Sequence, residues 1–203
     1  MMDVFEVINT TRAMRRLKPD PVPDELVWKV LDAAIRAPSG GNRQPWNFIV
    51  VRDEAAKKKI AEWYLEAWNA SYGPMKEAMA ANLDSGRMFN SADHLANHLA
   101  EVPVLIIAAI RGGDTGTSPA GSYVYPAVQN LMLAARALGL GTTLTTLHRA
   151  HENDVKELLG IPENVQTLGL IPLGWPRGKF GMGVRRPSEE VSYWERWGET
   201  RSR

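Results

Sequence analysis

The stretch Ala37-Pro38-Ser39-Gly40-Gly41-Asn42-Arg43-Gln44-Pro45-Trp46 separates a helical segment from an extended one and carries more chemistry than a connector needs. Gly40 and Gly41 let main chain approach a bound molecule with no Cβ in the way, while Asn42 and Gln44 add donors and acceptors suited to a polar heterocycle. Upstream, Pro23-Asp24-Glu25 opens a helix whose apolar residues Leu26, Val27, Val30, Leu31, Ala34 and Ile35 fall on one buried stripe. Downstream, Asn47-Phe48-Ile49-Val50-Val51 is a short β-branched run bounded by polar residues, as a buried strand requires.

Outward from this junction the elements alternate. Towards the N-terminus, Asp3 caps a helix expected to reach about Leu17, with Arg12, Arg15 and Arg16 crowded at its far end, and Pro19, Pro21 and Pro23 impose an extended connector. Towards the C-terminus, Asp53 starts a helix reaching about Tyr72, and Gly73-Pro74 breaks it before a Met- and Ala-rich helical segment. Residues 102–110 are continuously apolar and read as a central strand covered on both faces. Residues 112–121 read as loop, 123–138 as a long apolar helix stopped by Gly139 and Gly141, and 142–146 as a strand. A helix near 154–159 ends at Gly160-Ile161-Pro162, and 165–175 form the last strand. Residues 176–203 make an arm whose Tyr193, Trp194 and Trp197 call for a covering surface. Neither a linker nor a repeat interrupts the chain, so residues 1–203 read as one α+β domain around a mostly buried sheet.

Composition narrows the chemistry. With 203 residues, 44% hydrophobic and 23% charged, the chain can bury a proper core, and a formal charge of +1 gives no global attraction to nucleic acid. The absence of cysteine excludes disulfides, thiolate nucleophiles and iron–sulfur ligation. The acidic, mixed start Met1-Met2-Asp3-Val4-Phe5-Glu6 is no secretory signal, and no apolar run approaches the roughly 20 residues that span a bilayer, so a cytoplasmic protein without a membrane span is expected.

The motifs of common catalysts are missing. Gly112-Gly113-Asp114-Thr115-Gly116 lacks the lysine of a phosphate-binding loop, and Ser39 has no nucleophile-elbow glycines around it. His94 and His98 share a helical face, but a zinc-protease helix needs Glu where this chain has Leu95, so a solvated or capping role is the better reading. Arg12, Arg15 and Arg16 alone would be cations that complement a helix terminus and stay in water. Arg185-Arg186 supply a second basic pair far away in sequence, and two guanidinium sources together suit a phosphate monoester.

At this point the chain resembles the nitroreductase family of FMN-dependent oxidoreductases over nearly its whole length. The resemblance is carried by the arginine-rich segment running into Lys18-Pro19-Asp20-Pro21-Val22-Pro23, by the stretch from Ala37 to Trp46, by Tyr125-Pro126-Ala127-Val128-Gln129-Asn130-Leu131 through Leu138-Gly139-Leu140-Gly141, and by Gly174-Trp175-Pro176 with Arg185-Arg186-Pro187-Ser188-Glu189-Glu190-Val191. It implies a central, mostly antiparallel sheet flanked by helices, in an intertwined homodimer whose C-terminal arm wraps over the partner. It implies FMN-binding roles for Arg12, Arg15, Arg16, Pro38, Ser39, Asn42, Gln44, Leu144, Thr145, Thr146 and Arg185 or Arg186, with the main chain at 144–146 beside the reactive edge of the ring. No side chain need be a nucleophile. NADH or NADPH would deliver hydride to FMN, which would then reduce a small electron-poor acceptor such as a nitroaromatic or a quinone. Reductive dehalogenation, with zwitterion-binding groups between Trp63 and His98 such as Glu66, Lys76 and Glu77, and flavin binding without turnover are the alternatives. The chain departs from the family's usual Arg-Arg-Ser by reading Thr11-Arg12-Ala13.

Overall fold

A computed structural model describes residues 2–82, 86–112 and 121–201. The elements are α1 (Val4–Thr10), α2 (Asp24–Ala34), β1 (Trp46–Val51), α3 (Glu54–Tyr72), α4 (Lys76–Ala81), α5 (Gly86–His98), β2 (Val104–Arg111), α6 (Gly121–Ala137), β3 (Gly141–Thr142), α7 (Glu152–Leu159) and β4 (Val165–Gly174). The loop expected at 112–121 falls largely on residues 113–120, which lie outside the described residues.

The four strands form one antiparallel sheet in the order β1-β2-β4-β3. β2 is the expected central strand. Val104, Ile106, Ala108 and Ile110 join a core with α2 and α6, while the alternate Leu105 and Ile107 join a second core with α3 and α5. The period of two along a strand therefore builds both layers from one apolar run, and each fully buried Leu or Ile contributes about 1.5–3 kcal/mol. Arg52, just after β1, ties down the start of α2: its guanidinium meets Asp24 at 2.8 Å and donates to the Val22 carbonyl at 2.7 Å.

Two expected elements are shorter than the sequence suggests. Helix α1 stops at Thr10 instead of continuing to Leu17. Thr10 and Thr11 turn their hydroxyls back onto the carbonyls of Glu6 and Val7, each at 2.6 Å, and Thr11 takes extended dihedrals. The chain beyond is captured by the sheet: Met14 N–H donates to the Thr142 carbonyl at 2.8 Å and Lys18 N–H to the Trp175 carbonyl at 2.7 Å. Residues 11–18 are thus an extended strap, and the arginines are not a helix end. The strand expected at 142–146 is broken as well. β3 covers only Gly141 and Thr142, and pairing resumes at Thr145, whose N–H and carbonyl both bond to Leu170. Between them Leu144 leaves the ladder and lies over Gly169, where a Cβ would come within 2.6 Å of the leucine Cδ1.

His148 lies in the short turn after this segment (Leu147–His151), fully enclosed, and neither ring nitrogen has a hydrogen-bond partner among the described residues. Burial pushes its pKa from 6.5 down to about 4. Between those values the unfolded chain takes up a proton that the folded chain refuses, so stability falls as pH drops through that window.

Two outcomes follow from the packing. A Cβ at Gly141 would stand 2.9 Å from both Met14 Cβ and Leu17 Cδ2, so Gly141→Ala should lower stability by about 1–3 kcal/mol, read from the denaturant midpoint at unchanged m-value. In urea unfolding at pH 7 and pH 4.5, His148→Leu should remove about 2 kcal/mol of the acid-induced loss seen in the unaltered protein.

Candidate functional site

The strap has a buried side and an exposed one. Met14 and Leu17 are buried against the sheet, leaving Arg12 and Arg16 exposed and Arg15 half-buried on the other side. Arg12, Arg15 and Arg185 line one cavity of about 330 Å³, closed behind by Thr142 and Thr143 and on its flank by Gln129 and Met132 of α6. Cations from the two ends of the chain therefore meet, as the sequence suggests, but they do so across an extended segment. Arg186 does not line this cavity, and Arg16 faces the neighbouring trench.

Arg15 also lines a second cavity of about 420 Å³, walled by Tyr64, Trp68 and Tyr72 of α3, Leu95 of α5 and the segment 143–147. Leu144, Thr145 and Thr146 all contribute to it. The Tyr64 and Thr145 hydroxyls are hydrogen-bonded at 2.9 Å. Burial raises the Tyr64 phenol above its ordinary value, so it stays protonated, and burial lowers the Arg15 guanidinium value while the nearby phenol opposes that shift. The resemblance places main-chain N–H groups of 144–146 beside a ligand, and here Thr145 departs from it. Its N–H is already donated to the Leu170 carbonyl at 3.0 Å, so what Thr145 offers the cavity is its hydroxyl.

The loop from Pro38 to Gln44 is tightly built but stands elsewhere. Gln44 N–H donates to Ser39 Oγ and Gln44 Nε2 to Asn42 Oδ1, both at 3.0 Å. Gly41, Asn42 and Gln44 have φ of 59°, 54° and 49°, and a non-glycine pair so close together in the left-handed region is stored strain of the kind found at binding sites. Pro38, Asn42 and Gln44 are exposed and Ser39 half-buried, and none of the four lines either of the two cavities. Gly40 instead rests against the Tyr123 ring, where a Cβ would meet it at 3.3 Å.

Three aromatic walls of the site belong to no motif in the sequence. Tyr64, Trp68 and Tyr72 recur every four residues on α3, a spacing that marks a helical aromatic stripe. His94 and His98 stack with ring centroids 4.2 Å apart, and His98 Nδ1 bonds Glu101 at 2.6 Å. Among the described residues no group of three or more histidines and carboxylates is placed to hold a metal ion. Of the groups named for a zwitterion, Lys76 is paired with Asp93 at 2.9 Å and Glu66 lies 3.5 Å from His151. No helix among the described residues is long and apolar enough to cross a membrane.

Known proteins share this architecture. The nitroreductase family profile matches residues 8–175. A Methanothermobacter thermautotrophicus protein provisionally named NADH dehydrogenase/NAD(P)H nitroreductase is 33% identical over 181 residues, covering 86% of this chain and 78% of its own. The NADH dehydrogenase of Thermus thermophilus is 30% identical over 198 residues, covering 90% and 91%. Iodotyrosine deiodinase 1 of Rattus norvegicus is 30% identical over 180 residues, covering 86% of this chain and 62% of its own. Among solved structures, an iodotyrosine deiodinase bound to FMN and 3-iodo-L-tyrosine superposes with a TM-score of 0.74 at 23% identity, covering 91% and 96%. A nitroreductase with bound FMN from Desulfitobacterium hafniense superposes with a TM-score of 0.73 at 24% identity, covering 96% and 100%. With the family profile matching most of its length and relatives at 30–33% identity, the chain belongs to the nitroreductase family.

Proposed function

We propose that this protein binds FMN across the two adjoining cavities and uses NADH or NADPH to reduce electron-poor acceptors such as nitroaromatics or quinones. The observation that carries the reading is the convergence of Arg12, Arg15 and Arg185, none of them ion-paired among the described residues, beside an aromatic-walled cavity. Unpaired guanidinium groups from separate segments suit a phosphate monoester, and rings suit a flat heterocycle. Bound FMN would supply hydride acceptance from the nicotinamide and electron delivery to the acceptor. Arg12, Arg15 and Arg185 would hold its phosphate. Thr145 would present its hydroxyl to the ring edge, kept in one orientation by Tyr64. Trp68, Tyr72 and Leu95 would keep water from the far side of the same cavity.

The reading includes a homodimer. The chain exposes 12,197 Å² of surface, whereas a compact monomer of 22.5 kDa exposes roughly 9,500 Å². Part of the difference is apolar: Phe5, Trp28, Trp194, Trp197 and Val184 are exposed, the last at 97%. A second copy that covers them would also explain why the strained loop of Pro38, Ser39, Asn42 and Gln44 stands away from its own chain's cavities: each loop would complete the partner's site. Arg186, which lines neither cavity, belongs to the same arm.

Reductive dehalogenation is the second reading, favoured by the relatives named iodotyrosine deiodinase. Against an amino-acid substrate stand Lys76 and Glu66, which are engaged with Asp93 and His151.

Purified protein should be yellow, run at twice the 22.5 kDa chain mass in sedimentation, and bleach anaerobically with NADH or NADPH. A protein that takes up no FMN overturns the reading. Iodide release from 3-iodotyrosine by the reduced protein would select the dehalogenase branch. Arg15→Ala should weaken FMN binding by about tenfold to a hundredfold, measured by flavin fluorescence, at little cost to the thermal midpoint.

A further inference from the structure

Five guanidinium groups, Arg12, Arg15, Arg16, Arg87 and Arg185, line one trench of about 950 Å³ between the strap and the helices α4 and α5. Its other walls are small, apolar or amide side chains, and no described carboxylate is among them. The ion pairs that arginines do make among the described residues, Arg52 with Asp24, Arg149 with Glu152 and Arg201 with Glu195, lie outside it. A phosphate monoester carries at most two negative charges, and the three arginines that also line the narrower cavity beside Thr142 and Thr143 are enough to neutralise one. Arg16 and Arg87 do not line that cavity, so their charge is left over.

The position of Arg87 sharpens the point. It sits next to Gly86 in the described part of helix α5. Its backbone is also held close to α4. Gly86 packs under Ala80 so tightly that a Cβ would fall 2.5 Å from the Ala80 carbonyl oxygen. A close-packed glycine thus holds the backbone beside Arg87, which lines the same trench as Arg16 and, like it, makes no ion pair among the described residues.

We propose that Arg16 and Arg87 form a second anion subsite, which recognises a phosphate or carboxylate on the molecule that exchanges electrons with the bound flavin. The proposal rests on the FMN reading above. The ribose 2′-phosphate of NADPH fits best, because a dianion matches two guanidinium groups, and the acid group of a carboxylated acceptor presents the same anionic oxygens in smaller number. The subsite then sets preference among substrates, while the other three arginines hold the cofactor.

The test uses FMN-loaded protein and Arg87→Gln. By calorimetry, adenosine 2′,5′-bisphosphate should bind the unaltered protein roughly tenfold or more tightly than adenosine 5′-monophosphate, and Arg87→Gln should abolish that ratio while the flavin content stays the same. Arg87→Lys should restore part of it. In kinetics, the variant should raise KM for NADPH and leave the NADH value in place. If the nucleotide ratios do not move but the preference for 4-nitrobenzoate over nitrobenzene collapses, the subsite stands and serves the acceptor. If neither pair responds to Arg87→Gln or to Arg16→Gln in protein that retains FMN, the proposal is overturned. Protein that never takes up FMN yet still prefers the 2′-phosphate would overturn the flavin reading and keep the subsite.

Discussion

Three main-chain hydrogen bonds hold the strap to the sheet, and the site depends on them. Met14 N–H reaches Thr142, Lys18 N–H reaches Trp175, and Arg177 N–H reaches the Arg16 carbonyl at 2.9 Å. They turn a short stretch rich in helix-forming residues into an extended edge with a buried side and an exposed one. One face seals the core through Met14 and Leu17, and the other displays the arginines over the cavities. The last bond also ties the arm to the strap just before the arm delivers Arg185. Close approach at Gly141 is the geometric condition for this arrangement.

Much of the fold was legible because period and composition agreed. The stripe of α2, the β-branched run of β1 and the apolar run of β2 all correspond to observed elements. Helix α6 and strand β4 lie within two residues of the expected bounds. The failures have a common cause. Arg12, Ala13, Met14, Arg15, Arg16 and Leu17 are good helix formers, and only the distant carbonyls of Thr142 and Trp175 pull them straight. The threonine run at 142–146 has strand composition, yet the space above Gly169 draws Leu144 out of the ladder. Local propensity carries no record of either partner.

The site was legible in part for the same reason. The arginines at the two ends of the chain could be matched as charges, and Arg12, Arg15 and Arg185 do share a cavity. Arg87 could not, since a lone arginine becomes part of a cluster only when α5 folds over the strap. The aromatic stripe of Tyr64, Trp68 and Tyr72 was present in the sequence as a spacing of four, but spacing alone cannot distinguish a core face from a cavity wall. The loop of Ser39 and Gln44 showed its binding chemistry in its residue types, and its left-handed backbone adds conformational evidence that composition does not contain.

The commitment of the Thr145 main chain to Leu170 leaves the character of that position to one exchangeable hydroxyl. A site that used peptide N–H groups there would be nearly fixed across descendants, because every residue type except proline carries the same amide. Here a single codon change at 145, or at Tyr64 behind it, alters hydrogen bonding at the cavity while the sheet keeps its pairing. The scaffold has separated the part that must be inherited from the part that can drift, and a lineage built on it can change its chemistry without rebuilding its backbone.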